Sequence, residues 1–518
     1  MNSRGKQMDT LLHHLLRGSA ARFPSKEAIV QGNRRMTYAE TWRAVTSLAS
    51  RLKSAGLERG DRLGVFLDAS VLQAVSIFAA SAADAVFVPI HHSLFPEQVA
   101  HILSDCGAKG LITTKARLAG LSEVLKRIPS LAVVFAEDLD ELFPLDGPAL
   151  KEECLGNDLA AILYTSGSTG KPKGVMLTHA QIIAGAAIVS SYLGITGNER
   201  ILAALPFSFD AGLNQIMTAF QQGATIALLN FTFAREIVDA LVNERITGLA
   251  GVPTLWTLLA HPSSTLLKKQ LPHLRYITNT GGVMPLTVLA SLRKALPATS
   301  IFLMYGFTEA FRSTYLSLQE LDRRPSSIGK AIPHTEIQIL NEDGNACAPG
   351  EIGELVHRGP TVALGYWGKP ELTNEVFRPH PSGEKVCYSG DLVKSDDEGF
   401  IYYVGRRDAL IKSSGFRISP TEIEEILCQN ASVRSAAVIG IPDELLGQHI
   451  KAFVVRNDPD DRCEGEALIG FCAERLPRYM VPQTIEFLDD LPTTASGKVD
   501  YAALSFMNPN CSPLASDY

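Results

Sequence analysis

From about Ala160 to Gly306 the sequence alternates short apolar runs with amphipathic stretches, and that alternation restricts the chain to layered α/β architectures. Residues 160–164, 201–205, 225–229, 247–252, 275–279 and 301–305 are apolar enough for strands buried on both faces. Between them, 180–192, 234–243 and 285–296 carry apolar residues at helical spacing. A largely parallel sheet with helices on its faces is expected, and 37–114 shows the same pattern. After Ser326 the character changes. Strand-like segments at 336–340, 353–358, 385–388 and 400–404, punctuated by Gly and Pro, predict a small β-rich subdomain.

A further change follows Gly405-Arg-Arg-Asp408, with a helix expected at 421–429, strands at 436–441 and 450–455, a helix at 465–476 and a strand at 484–488. At 518 residues the chain is too long for one core. The expected division is a large N-terminal α/β domain over 1–407, including the β-rich subdomain, and a smaller mobile α+β lid over 408–518. The last dozen residues, rich in Pro, Asn and Ser, are expected to be a loose tail.

Composition excludes several classes. Hydrophobic residues at 46% and charged residues at 20% are the balance of a soluble globular protein. A net charge of −7 argues against a general nucleic-acid binder, which carries a basic excess. The eight cysteines are scattered without a Cys-x-x-Cys pair, which suits reduced thiols in the cytosol better than a disulfide frame or zinc site. Residues 1–18 lack the apolar segment of a secretory leader and include His13, His14 and Arg17. Residues 71–90 carry Gln73 and Asp84 and read as a buried helix running into a strand, not as a membrane span. The twelve histidines show no metal-ligand spacing. A cytoplasmic protein with no integral membrane segment and no nucleic-acid partner is expected.

The chemistry is concentrated in Tyr164-Thr-Ser-Gly-Ser-Thr-Gly-Lys-Pro-Lys-Gly174, placed between a strand and a helix beginning near Thr178. Small residues let backbone N–H groups approach an anion, while hydroxyls and lysines add donors and charge. A Walker A loop would need Gly at position 165 and Ser or Thr after Lys171; Thr165 and Pro172 stand there. The P-loop NTPase reading fails.

The segment instead resembles the signature loop of the adenylate-forming superfamily of acyl-CoA synthetases, adenylation domains and luciferases. Gly281-Gly282, Tyr305-Gly-Phe-Thr-Glu309, Gly350-Glu-Ile-Gly-Glu354, Gly365-Tyr-Trp367, Ser389-Gly-Asp391, Gly405-Arg-Arg-Asp408, Lys412 to Arg417 and Pro492-Thr-Thr-Ala-Ser-Gly-Lys498 follow in that superfamily's order. Three further phrases resemble the AMP-forming acyl-CoA ligases associated with exosortase and exopolysaccharide systems. They are Leu205-Pro-Phe-Ser-Phe-Asp-Ala-Gly-Leu-Asn-Gln215, Gly248-Leu-Ala-Gly-Val-Pro253 and Thr308-Glu-Ala-Phe-Arg-Ser-Thr314.

The resemblance implies that ATP and Mg²⁺ activate a carboxylic acid with loss of pyrophosphate. The acyl-adenylate then passes to a pantetheine thiol, that of coenzyme A or of a separate acyl carrier protein. Thr165, Ser166, Gly167 and Ser168, with Thr169, Gly170 and Lys173, would hold the triphosphate. Glu309 would ligate Mg²⁺ and Thr308 would bond the α-phosphate. Asp391 would accept both ribose hydroxyls, with Arg406 beside it, while Gly281, Gly282 and Tyr305 line the adenine slot. Lys498 would bridge the carboxylate and the α-phosphate as charge develops. Asp408 would hinge the lid, whose Gly415 and Arg417 face the site during thioester formation.

For the acyl pocket the resemblance implies Phe209, Asp210, Asn214, Ala250 and Thr278, together with Thr280, Met304, Arg312 and Ser313. Asp210 falls where amino-acid-activating relatives pair with the substrate ammonium, or it is a helix N-cap ahead of 212–220. Arg312 would oppose a second carboxylate or another polar group. An acyl chain and a polar or amino-acid-like acid both remain open. Two departures stand out: Tyr388-Ser389 where relatives usually have Arg-Thr, and Asp500-Tyr501 where they often have an arginine. A sensing protein without turnover would be expected to lack Lys498 or Glu309, and both are present. A luciferase-like oxygenase would share the adenylation step.

Overall fold

Two sheets with helices between and around them build the N-terminal body. The computed structural model describes residues 10–136, 151–165, 172–407, 409–413, 416–443, 446–458 and 462–507. Among these, a nine-stranded sheet has at its centre Glu27–Gln31, Thr225–Leu228, Arg200–Ala203, Gly248–Gly251, Tyr276–Asn279 and Ser300–Tyr305, all parallel. Antiparallel strands Arg34–Thr37, Thr314–Leu316 and Lys330–Ala331 close its edges. A seven-stranded sheet runs Gly365–Tyr366, Lys173–Thr178, Leu159–Thr165, Val86–Ile90, Arg62–Phe66, Gly110–Thr113, Val133–Ala136.

The alternating stretch expected as one layer is therefore split. Its first strand, Leu159–Thr165, joins the second sheet, parallel to Val86–Ile90 and antiparallel to Lys173–Thr178. The Gly-rich loop links two antiparallel strands, and the helix His179–Leu193 starts only afterwards. Gly174 is the reason the return strand fits. A Cβ there would lie 2.5 Å from Ile162 Cγ2, so only glycine lets the two strands lie flat together.

Residues 71–90 form the helix Val71–Ala82 and the strand Val86–Ile90, buried throughout. The helix is rich in alanine, and such small side chains let it join the same core as the helix Tyr38–Ser54, which a Thr37–Glu40 capping box opens. Among the described residues no helix is long and apolar enough to cross a membrane. All seven described cysteines are free, and four of them are buried.

The β-rich region is a five-stranded sheet in which Lys385–Ser395 pairs with both Gly353–Arg358 and Ile401–Arg406. The strand is longer than the expected 385–388 and runs through Ser389, Gly390 and Asp391. The lid is a three-stranded sheet of Val433–Asp443, Gly447–Arg456 and Thr484–Leu488, covered by helices Pro420–Leu427 and Gly465–Ala473.

Candidate active site

The parallel strands Gly248–Gly251, Tyr276–Asn279 and Ser300–Tyr305 lie in register, Gly251 beside Asn279 and Asn279 beside Leu303. The segments leaving their carboxyl ends, at 252–254, 280–282 and 306–312, therefore meet in one cleft, as open α/β sheets require of a ligand site. Tyr305 ends the last strand and donates its hydroxyl to Asp391 Oδ2 at 2.5 Å. Burial and then the Asp391 carboxylate push the Tyr305 phenol well above its ordinary value, so it stays a donor. Arg406 sits opposite Asp391 in the strand register, with Nη1 3.3 Å from Asp391 Oδ1, and donates to the Ser389 carbonyl. Gly390 has φ +71° and donates its N–H to Glu354 Oε1, while Glu354 Oε2 holds Arg407. Glu354 was legible only as part of a sequence motif, yet it fixes the turn that presents Asp391.

A second cluster joins the two sheets. Lys173 donates to the Tyr366 hydroxyl at 3.0 Å, and Tyr366 donates to Glu309 Oε1 at 2.7 Å. Lys173 Nζ is 3.6 Å from the same carboxylate and 4.3 Å from the Tyr366 ring centroid. Burial and then the Glu309 charge raise the Tyr366 phenol above its ordinary value. Sequence reasoning gave Tyr366 no role, although it lies within the Gly-Tyr-Trp run. Thr165 ends its strand with Oγ1 buried and without a partner among the described residues. Thr308 is half-buried one residue before Glu309. Ser166, Gly167, Ser168, Thr169 and Gly170 lie outside the described residues, as do Asp408 and Gly415. Arg417 pairs through its backbone with Lys412 in a ribbon of Ile411–Ser413 and Phe416–Ile418.

The lid loop closes on this cleft. Thr494 and Lys498 are tied by an N–H to carbonyl bond of 2.7 Å, and Gly497 has φ +77°. Thr254 of the body donates to the Gly497 carbonyl at 2.7 Å. Lys498 then lies over Gly281, whose φ is +80°; a Cβ there would be 3.0 Å from Lys498 Cε and 3.7 Å from Nζ. Gly281 is thus glycine for two reasons, its left-handed backbone and the lysine above it. Asp500 caps the short helix Tyr501–Phe506 by accepting from Ala503 N–H.

The residues expected to line the acyl pocket lie on the strands Gly248–Gly251, Tyr276–Asn279 and Ser300–Tyr305, on the segments that follow them, and on the helix Asp210–Gln222. Ala250 and Thr278 are register partners. Thr280 and Met304 are buried nearby, and the Tyr192 hydroxyl lies 3.4 Å from Met304 Sδ. Ser313 is fully buried with its hydroxyl 2.9 Å from His357 Nδ1. Phe209 is the N-cap of the helix Asp210–Gln222 and caps through no side chain, so the N-cap alternative for Asp210 is corrected. Asp210 is the first helical residue, and its Oδ2 lies 3.2 Å from Arg312 Nη1. The ammonium partner and the second-carboxylate partner named from the sequence are thus bonded to each other.

Between the lid loop and the body a cavity of about 320 Å³ is lined by Ala495, Ser496, Gly497, Thr254, His91 and Phe231, among others. Burial, then His92, lowers the His91 imidazole to about 4, so this wall is neutral at pH 7. Leu205, Pro206, Ser208, Val252 and Ala495 to Gly497 of this lining fall within the quoted sequence phrases, but none of them had been given a role.

Known proteins share this sequence pattern and fold. A protein-family profile described as "AMP-binding enzyme" matches residues 16–367, and "AMP-binding enzyme C-terminal domain" matches 422–498. The feruloyl-CoA synthase of an Amycolatopsis species is 34% identical over 92% of this chain and 94% of its own. The long-chain-fatty-acid–CoA ligase of Salmonella typhimurium is 28% identical over 94% of this chain and 93% of its own. The crystal structure of ATP-bound MatB from Rhodopseudomonas palustris superposes with a TM-score of 0.87, covering 96% of this chain and 98% of that one at 27% identity. With a profile over most of its length and full-length relatives, the chain belongs to the family of AMP-binding, adenylate-forming enzymes.

Proposed function

We propose that the protein is an AMP-forming acid–thiol ligase, which joins a carboxylic acid to ATP as an acyl-adenylate and then transfers the acyl group to a pantetheine thiol. The observation that carries this reading is Lys498, held by the lid loop over Gly281 at the carboxyl ends of the parallel strands. A carboxylate attacking the α-phosphorus brings two anions together, so the site must neutralise charge and fix geometry. In this reading Lys498 binds both anions, and Asp391 with Arg406 orients the ribose. Tyr305 and the Gly281-Gly282 turn flank the base. Thr165 and Lys173 hold phosphate oxygens with the loop between them, and Thr308 bonds the α-phosphate.

Glu309 fits a magnesium site, because that ion is commonly held by one carboxylate together with substrate phosphates. Lys173 and Tyr366 already orient this carboxylate. The ion, when bound, would offset phosphate charge. For the second step the lid would turn about Asp408, withdraw Lys498 and present Gly415 and Arg417. The cavity behind Ala495, Ser496 and Gly497 would then open to a pantetheine arm. Coenzyme A is the acceptor favoured by the names of the full-length relatives, with a carrier protein as the second candidate.

Pyrophosphate release with ATP and Mg²⁺ over fatty, aryl and amino acids tests the first step. Lys498→Ala is expected to lose at least about 100-fold of it while retaining ATP binding, the scale seen when one transition-state donor is removed. Release that survives Lys498→Ala undiminished would sink the assignment.

A further inference from the structure

The polar end of the acyl pocket is electrically balanced and incomplete. Arg312 and Asp210 are 4% and 16% exposed at their side chains and form a 3.2 Å ion pair, so their charges cancel within the pocket wall. Asn214 stands one helical turn after Asp210, on the same face of the helix Asp210–Gln222. Two groups at this end have no partner among the described residues. They are the Arg312 Nε–H, a donor, and Asn214 Oδ1, an acceptor, both on buried residues. Buried polar groups left unpaired cost stability, and native proteins keep few of them.

The chain is also strained to hold Arg312 where it is. Phe311, a fully buried aromatic, has φ +59°, in the left-handed region that bulky residues avoid. Its ring lies where a Cβ on Gly185 would come within 2.5 Å, and the Arg312 Cα lies 2.9 Å from a Cβ placed on Gly306. Two glycines and one unfavourable backbone conformation thus turn this arginine inward.

The geometry points to a neutral, hydroxyl-bearing acid as the substrate, its hydroxyl seated between Arg312 Nε–H and Asn214 Oδ1 at the end remote from the reacting carboxylate. This rests on the adenylation reading above and specifies its acid. A hydroxyl is one acceptor and one donor on a single atom, which is what the two unpaired groups lack. An ammonium tail would have to share Asp210 with Arg312 and lie beside the guanidinium. A carboxylate tail would compete with Asp210 for Arg312. Both charged tails disturb a pair that is already satisfied, and an alkyl tail leaves the two polar groups unpaired.

The test uses two matched series, octanoic acid with its 8-hydroxy, 8-amino and 8-carboxy forms, and cinnamic acid with its 4-hydroxy, 4-aminomethyl and 4-carboxy forms. The full chain is assayed for pyrophosphate release, and kcat/KM is compared within each series. In at least one series the hydroxy acid is expected to exceed the plain acid by at least about tenfold, and the charged acids to fall below it. Sites built to bond a hydroxyl discriminate at that level or beyond. Asn214→Leu is expected to bring the hydroxy-to-plain ratio close to one. That ratio is read on one preparation, so a partly unfolded variant cannot mimic the result. A preference for a plain or charged acid, or a ratio that persists in Asn214→Leu, overturns the inference and leaves adenylation standing. Absence of Lys498-dependent release with every acid, in folded enzyme that binds ATP, overturns the adenylation reading together with it.

Discussion

The nucleotide half and the acyl half of the cleft solve opposite problems with similar residues. Around Asp391 and Glu309 the cations keep contact with water: the Arg406 and Lys173 side chains that flank the two largely buried carboxylates are 47% and 23% exposed. Around Asp210 the charge is consumed internally by Arg312, and the helix and the strained turn bury both. A partly exposed cation costs little to maintain and can turn to meet an anionic ligand. A buried pair is sensitive to the loss of either member, because the survivor is then stranded. In the proposed reading the first half binds a charged substrate and the second rejects one.

The largest effect expected from this contrast is on stability. Asp210→Ala leaves Arg312 buried without its counter-charge and should cost about 3–5 kcal/mol. Adding Arg312→Met to Asp210→Ala should recover most of that loss, since the charge needing a partner is gone. Asp391→Asn, by contrast, should raise the KM for ATP and shift urea unfolding only slightly. Equal destabilisation by Asp210→Ala and Asp391→Asn in urea titrations would break the comparison.

On the nucleotide side the largest effect should be on rate. Gly281→Ala adds a methyl group 3.0 Å from Lys498 Cε at a backbone position of φ +80°. Displacing the lysine should lower pyrophosphate release by at least about 100-fold, on the scale of losing one transition-state donor. The acid preference should be unchanged, because the acyl wall is untouched. Single-turnover assays with two acids separate these outcomes.

The same contrast explains what the sequence could reveal. The nucleotide half is written in contiguous phrases, each a turn or strand end that the chain must make locally, so Asp391, Glu309 and Lys498 could be located by motif. The Asp210–Arg312 pair joins residues 102 apart, and no local pattern records that they touch. Tyr366 was visible as part of Gly365-Tyr-Trp367, but its link to Lys173 and Glu309 appears only once Gly365–Tyr366 pairs with Lys173–Thr178. The strand Lys173–Thr178 itself was missed because six residues between a Gly-rich loop and a helix are too few to display an alternation. The α/β layering, the β-rich region and the lid were legible, since each repeats its periodicity several times. The division of the strands between two sheets depends on pairing partners and was not.

Acidification should separate the halves more gently. His357, buried beneath Ser313 on the acyl side, is lowered to about 3 by burial. In the unfolded chain an imidazole takes up its proton below about 6.5, whereas in the fold it does so only near 3. Between these values the unfolded state holds more protons, so stability falls as pH falls. From pH 6.5 to 5 this one group should remove about 2 kcal/mol, at 1.36 kcal/mol per unit. His357→Gln should flatten that slope in thermal unfolding measured across the same range. An unchanged slope would mean that His357 does not make the acyl side the acid-sensitive half.

The smallest expected effect lies where the two halves meet. Thr254 begins the first turn of the helix Pro253–Ala260, and its hydroxyl is the body's bond to the Gly497 carbonyl, one residue from Lys498. Thr254→Val keeps the shape and removes that bond, worth about 0.5–1.5 kcal/mol. If the bond specifically favours the closed lid, adenylation should slow by roughly 2- to 10-fold, following that energy. Thiol transfer from preformed acyl-adenylate should be unaffected or slightly faster, because that step needs the lid to leave. A rapid-quench comparison of the two half-reactions decides it. Equal slowing of both would mean that Thr254 supports the body alone, and that the lid loop is positioned by its own turn from Thr494 to Lys498.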